Sequence, residues 1–310
     1  MIETLRPMNL GGILDRGVQI FRAQSMVFIG LAAITGLVQL ASTLASAHPK
    51  PTSVGLTLAS GALSFALWLA MIILTAIVTA AFCLAASRVN LGEPVSVREA
   101  FGAYRARAGR LVGLTILQGI FAGWPVVIVI IFATVIYIAS DLTPPSPSFV
   151  MVLVILGGIP YVALFSRYAL AFPATAIEGL SASASIDRSI KLSKGGRWRI
   201  CGGFTVTLLP SLILALGAYF LAQHLRSSGL LFGGSPLAAA SITGVVGFIA
   251  ALVFTPYSAI VLTLLYYDQR IRHEGYDVER LMDAAGLNAS ATPPPASPWT
   301  QLDDDSKGDA

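Results

Sequence analysis

Six long runs of apolar residues dominate the chain, and shorter segments that carry most of its charge separate them. Each run is at least as long as the roughly 20 residues that an α-helix needs to cross about 30 Å of hydrocarbon. Only helices and closed β-barrels satisfy every backbone hydrogen-bonding group in lipid. Strands of a barrel would alternate polar and apolar residues, and these runs do not, so the runs are predicted to be helices. The pattern predicts an all-α integral membrane protein with six transmembrane helices, at 26–46, 56–87, 111–140, 149–177, 200–222 and 237–267.

The composition supports the same class of protein. Of the 310 residues, 55% are hydrophobic and 12% are charged, whereas a soluble domain carries about 25% charged residues. The formal net charge of +4 does not indicate nucleic-acid binding, because the basic residues lie beside apolar runs and no nucleic-acid-binding module is present. Cys83 and Cys201 lie inside apolar runs without a CxxC spacing, which favours reduced packing residues.

The basic residues are distributed unequally between the two sides of the predicted membrane. Three connections, at 47–55, 141–148 and 223–236, contain only Lys50 and Arg226, and the other 18 of the 20 basic residues lie on the opposite side. The positive-inside rule therefore predicts that both termini are cytoplasmic. A signal-peptidase site at Ala45-Ser46-Ala47 is the alternative, but the 25 residues before the first run are long for the start of a signal peptide.

The charged segments resemble copies of one unit. Asn9, Ser96, Ser181 and Asp277 are each suited to cap a helix N-terminus, and apolar positions after them follow the i, i+3, i+4 spacing of one helix face. We therefore predict three repeats of an interfacial amphipathic helix followed by a helical pair, at about 9–95, 96–180 and 181–276, with a partial fourth interfacial helix. Together they form a six-span membrane domain over 1–283, and the proline-rich, polar segment 284–310 is predicted to be a disordered cytoplasmic tail.

Three segments carry a family resemblance. LYYDQRIRHEGYDVERLM at 265–282, LGGILDRGVQIFRAQ at 10–24 and SASASIDRSIKLSKGGRWRI at 181–200 are similar to parts of the membrane domain associated with bacterial glycerophosphoryl diester phosphodiesterases. The resemblance implies a bacterial inner-membrane location and a stand-alone form of that domain. The catalytic (β/α)₈ barrel needs about 250 residues, so the enzyme's activity and metal do not carry over, and no residue here matches its catalytic residues.

The candidate functional residues are mainly basic. Asp268 and Arg272 have the i, i+4 spacing of a helix-surface ion pair, and Arg167 is an intramembrane charge that could extend to the interface or reach Glu178. No catalytic group, metal ligand set or cofactor motif is recognised, and His48, His224 and His273 lack ligand spacing. The candidate contacts for a lipid headgroup or partner are Arg105, Arg107, Arg110, Arg188, Lys191, Lys194, Arg197, Arg199, Asp268 and Arg272.

Two functions fit these features. The first is a non-enzymatic accessory or scaffold protein that contacts inner-leaflet anionic phospholipid or a protein partner, with homo-oligomerisation left open. The second is a transporter for a small amphiphilic or lipid-like solute, suggested by the repeats and by prolines within the spans. Few polar groups line the spans beyond Arg167 and Gln118, which favours the first function. The prolines are Pro125, Pro160, Pro173, Pro210 and Pro256.

Overall fold

The computed structural model describes residues 8–47, 53–139, 147–229, 235–276 and 282. Within these residues the chain forms ten helices and no strand, which confirms the all-α prediction. The predicted cap at Asp277 and the predicted tail at 284–310 lie outside the described residues. The helices are α1 Leu10–Ala23, α2 Ser25–Ser46, α3 Val54–Asn90, α4 Val97–Arg105, α5 Ala108–Ala139, α6 Pro147–Tyr168, α7 Ala171–Glu178, α8 Ala182–Ser193, α9 Arg197–Ser227 and α10 Pro236–Glu274.

Six helical segments are long and apolar enough to cross a membrane, and they coincide with the six predicted spans. They are α2, α3, α5, α6 with α7, α9 and α10. The longest helices, α3 and α10, contain 37 and 39 residues, which at about 1.5 Å per residue makes each roughly 55–60 Å long. Both therefore exceed the length that hydrocarbon alone requires.

Short helices precede three pairs of long ones, and each begins at the predicted cap. The side chain of Asn9 accepts a hydrogen bond from Gly12 N at the start of α1, Ser96 accepts from Glu99 N at α4, and Ser181 accepts from Ala184 N at α8. These oxygens satisfy backbone donors that have no partner within the first turn. Gly92, Gly179 and Gly275, each a few residues before a cap position, all have positive φ, which glycine adopts without steric cost.

The fourth span is not one continuous helix, which corrects the prediction for 149–177. Helix α6 ends at Tyr168, and α7 begins at Ala171. Pro173 explains the position of the break, because its ring clashes with the carbonyl of residue 169 in a continuing helix and it has no N–H to donate. The other four prolines lie inside α5, α6, α9 and α10, which continue through them.

One end of the bundle holds most of its basic residues, and we call it the basic end. There α3 and α10 finish, and α5 and α9 begin. Arg110 near the start of α5 donates to the carbonyl of Gly179 after α7 at 2.9 Å, and Arg199 near the start of α9 lies 3.2 Å from Asp268 near the end of α10. Contacts between residues so distant in sequence bring these helix ends together.

The main hydrophobic core lies at the basic end. Helix α3 is buried almost continuously from Ala76 to Ser87, whereas every described side chain from Gly55 to Ala66 on the same helix is exposed. Hydrogen bonds tie the core together: Tyr104 of α4 donates to the carbonyl of Ala176 in α7 at 3.0 Å. The short helices therefore pack against the long helices at the basic end rather than standing apart from the bundle.

Candidate functional site

Asp268, near the end of α10, is the centre of one polar cluster. Its side chain is fully buried. Oδ1 accepts a hydrogen bond from Met8 N at 3.0 Å, and Oδ2 accepts one from Arg272 Nε at 2.9 Å. Arg199 of α9 lies within ion-pair distance of the same Oδ2. The predicted i, i+4 pair of Asp268 and Arg272 is thus confirmed, while the contacts with Met8 and Arg199 were not predicted.

The two arginines of this Asp268 cluster also share a second acceptor. Arg199 donates to the carbonyl of Met8, and Arg272 Nη2 donates to the same carbonyl at 3.1 Å. Both backbone polar groups of Met8 are therefore hydrogen-bonded. Its N–H donates to a carboxylate, and its C=O accepts from two guanidinium groups. The cluster ties the chain before α1 to α9 and α10, and its two cations and one anion leave a net charge of +1.

A second cluster surrounds Glu178 at the end of α7. Arg188 of α8 donates to both carboxylate oxygens of Glu178, at 2.9 and 3.0 Å, and to Glu274 of α10 at 2.7 Å. The hydroxyl of Tyr266 also donates to Glu178. The pKa of Arg188 is raised above its ordinary value, first by its hydrogen bond to Glu274 and then by those to Glu178. The guanidinium therefore stays charged, and it joins three helices.

Arg167 does not pair with Glu178, which was one of the two options considered for it. Glu178 is engaged by Arg188 and Tyr266 instead. The guanidinium of Arg167 lies 5.9 Å from the ring centroid of Tyr168, and its buried Nε has no hydrogen-bond partner among the described residues. Arg167 is the second-last residue of α6. The fourth span continues through α7 to Glu178, so Arg167 lies inside this span, next to the break between α6 and α7.

At the break between α6 and α7, side chains from neighbouring helices form hydrogen bonds with the backbone groups that lack helical partners. Ser189 of α8 donates to the carbonyl of Arg167 at 2.9 Å and accepts from the N–H of Leu170 at 3.2 Å. Gln118 of α5 donates to the carbonyl of Tyr168 at 2.7 Å. Non-helical backbone in a membrane protein requires such partners. Ser189 belongs to a series of buried serines spaced four residues apart on one face of α8, Ser185, Ser189 and Ser193.

The remaining basic candidates are mostly exposed. Arg105, Lys191, Lys194 and Arg197 are exposed and Arg107 is half-buried, and none of these five forms an ion pair or side-chain hydrogen bond with the described residues. Trp198, next to Arg197, is 87% exposed. The ten predicted contacts therefore form two groups. Arg110, Arg188, Arg199, Asp268 and Arg272 have partners within the protein, whereas the other five are available to an external ligand.

No metal centre is evident in the described part of the chain. No three residues among its histidines, cysteines, aspartates and glutamates converge as metal ligands would. Cys83 is buried and Cys201 is half-buried, both as free thiols. His224 and His273 are exposed, and His48 lies outside the described residues.

Comparison with known proteins identifies no relative of this chain. No protein-family model, curated protein or solved structure matches this chain. The resemblance to the phosphodiesterase-associated membrane domain therefore stays a prediction.

Proposed function

We propose that this chain is a non-enzymatic, multi-pass protein of the bacterial inner membrane whose basic end faces the cytoplasm and binds anionic phospholipid headgroups. The observation that carries the proposal is the division of the basic residues into paired and exposed groups. Five of the predicted basic contacts have no acidic partner among the described residues, and four of these five are exposed. A surface of this kind suits the anionic inner leaflet.

The exposed cations are concentrated where α8 meets α9. Lys191, Lys194 and Arg197 lie within seven residues, and the exposed indole of Trp198 follows directly. Tryptophan favours the membrane interface because its ring is apolar and its N–H is polar. Each basic residue near an anionic surface contributes about 1 kcal/mol, and the attraction fades within a Debye length of roughly 8 Å. Three such residues at one turn support specific retention of anionic lipid.

The experiment compares lipid retention in nanodiscs that contain phosphatidylglycerol or cardiolipin beside phosphatidylcholine. The variant K191Q/K194Q/R197Q removes three contributions of about 1 kcal/mol each, so affinity for anionic lipid should fall by about a hundredfold. Arg226→Gln is the control, because Arg226 is exposed on a helix end opposite the basic end. Equal retention of zwitterionic and anionic lipid by the unmodified protein would contradict the proposal and would mean that these cations only determine the topology.

We also infer that the chain contains three repeats with interfacial short helices, α1, α4 and α8. The order of the elements supports this inference, since a short, serine- or asparagine-capped helix precedes two long spans three times. The packing of the short helices against the basic end supports a position near the headgroup region. An experimental structure in which the blocks 9–95, 96–180 and 181–276 fail to superpose would contradict the repeat.

A transporter for an amphiphilic or lipid-like solute is the second candidate, and one observation favours it. The fourth span is discontinuous, and polar side chains of Gln118 and Ser189 bind its freed backbone groups. Discontinuous helices form substrate sites in many transporters. Saturable solute uptake into liposomes that survives K191Q/K194Q/R197Q would support transport and contradict our first proposal.

A further inference from the structure

A groove of about 520 Å³ lies between α5 and α6, on the half of both helices that is farther from the basic end. Val126, Ile130 and Thr134 line it from α5, and Leu153 and Gly157 are among the lining residues of α6. Thr134 is the one polar side chain among the described lining residues, and its hydroxyl already donates to the carbonyl of Ile130 at 2.8 Å. The groove therefore offers a ligand apolar contacts and no free hydrogen-bond donor.

The dimensions of the groove limit what can occupy it. Its lining runs over residues 126–134 of α5 and 149–158 of α6, a rise of about 12–14 Å at 1.5 Å per residue. This length matches most of one leaflet, whose hydrocarbon is roughly 15 Å thick. A groove of this length and volume, lined by apolar side chains, accommodates a flexible hydrocarbon chain.

We propose that this groove binds an acyl chain of a phospholipid in the leaflet opposite the basic end. Both walls belong to candidate membrane spans, so the medium that reaches the groove is hydrocarbon. Side chains that face an unfilled gap lose their dispersion contacts, and a lipid chain restores them. The site lies at the opposite end of the bundle from Lys191, Lys194 and Arg197, and it recognises the chain of a lipid rather than its headgroup.

Glycines allow the groove to be filled without disturbing the backbone. A Cβ added at Gly158 would meet no atom within 4 Å, so Gly158→Leu places a side chain in the space that the acyl chain would use. Gly217→Leu is the matched control, because a Cβ at Gly217 on α9 also meets nothing within 4 Å and lies outside the groove. Ala133→Leu fills the groove from the α5 side and is the second test variant if Gly158→Leu does not fold.

The test uses full-length protein in nanodiscs that contain phosphatidylcholine with a photoreactive diazirine in one acyl chain, followed by peptide mapping. Crosslinks should concentrate at 126–134 and 149–158. Gly158→Leu and Ala133→Leu should each lower them to the level of the other lipid-facing spans, because the added side chain occupies the space that the acyl chain would fill. Gly217→Leu should leave them unchanged, as should K191Q/K194Q/R197Q, which separates this site from the headgroup contacts.

Three outcomes would overturn the proposal. Labelling spread evenly over all lipid-facing spans would mean that lipid contacts the groove only as bulk solvent. Full labelling at the groove in both filled variants, with helicity and monodispersity intact, would mean that the chain does not occupy this space. In an Ile130→Cys variant treated with a thiol oxidant, a disulfide between the introduced cysteines of neighbouring copies, in place of lipid crosslinks at the groove, would assign the groove to a second copy.

Discussion

Replacement of Asp268 by alanine tests whether its cluster stabilises the fold. The substitution removes the acceptor for Met8 N–H and the counter-ion of Arg199 and Arg272. Breaking a buried ion pair by removing one partner costs about 3–5 kcal/mol. The side chains of Arg199 and Arg272 are 23% and 39% exposed, so water screens part of the charge that remains. The lower limit of that range, about 3 kcal/mol, is therefore the expected loss of unfolding free energy.

Thermal unfolding in detergent micelles, followed by helicity, measures this loss. At about 2–4 °C per kcal/mol, Asp268→Ala should lower the apparent Tm by about 6–12 °C. Glu99→Ala is the control, since Glu99 pairs with Arg88 and its side chain is 49% exposed, which limits the effect to about 1 kcal/mol or less. If Asp268→Ala shifts the apparent Tm no further than Glu99→Ala, the cluster is not a stabilising centre.

Two further predictions concern the broken span and the topology. Ser189→Ala leaves the N–H of Leu170 without its hydroxyl partner and should cost about 1–3 kcal/mol. Ser183→Ala, on an exposed part of α8, should change stability by about 0.5 kcal/mol or less; equal effects in thermal unfolding would contradict the role of Ser189. In intact cells, a membrane-impermeant thiol reagent should label Ser146→Cys and not Ser306→Cys, because the positive-inside rule puts the C-terminus in the cytoplasm; the reverse pattern would refute this orientation.

Local rules predict much of this fold. Six spans follow from run length, because a bilayer imposes about 20 apolar residues on every crossing helix. The caps at Asn9, Ser96 and Ser181 follow from a side-chain oxygen before an amphipathic segment. The pair of Asp268 and Arg272 follows from i, i+4 spacing within one helix. Each of these features depends on residues within one or two helical turns, so the sequence alone contains the information.

The Glu178 cluster and the break in the fourth span depend on contacts between segments that are distant in sequence. Arg188 is ten residues from Glu178 but 86 from Glu274, and no local spacing connects the three. The sequence offered Arg167 as a partner of Glu178, whereas Arg188 is the arginine that binds it. The break at Leu170 was also ambiguous, because Pro173 is one of five prolines in the spans and four of them lie in continuous helices. The buried serines of α8 recur every fourth residue, a readable pattern that indicates a polar face packed against other helices.

The lengths of α3 and α10 explain why the ion pairs gather at one end. A bilayer requires about 20 residues of each helix, and both helices are longer than that; at the basic end α3 is buried almost continuously from Ala76 to Ser87. Between helices that are surrounded by lipid, burial of apolar surface supplies no hydrophobic driving force, because lipid tails are as apolar as leucine. Helix ends beyond the hydrocarbon do gain from such burial. The fold therefore concentrates its core and its buried charges at the basic end, while the opposite halves of the spans expose apolar side chains to hydrocarbon and leave room for a lipid chain between α5 and α6.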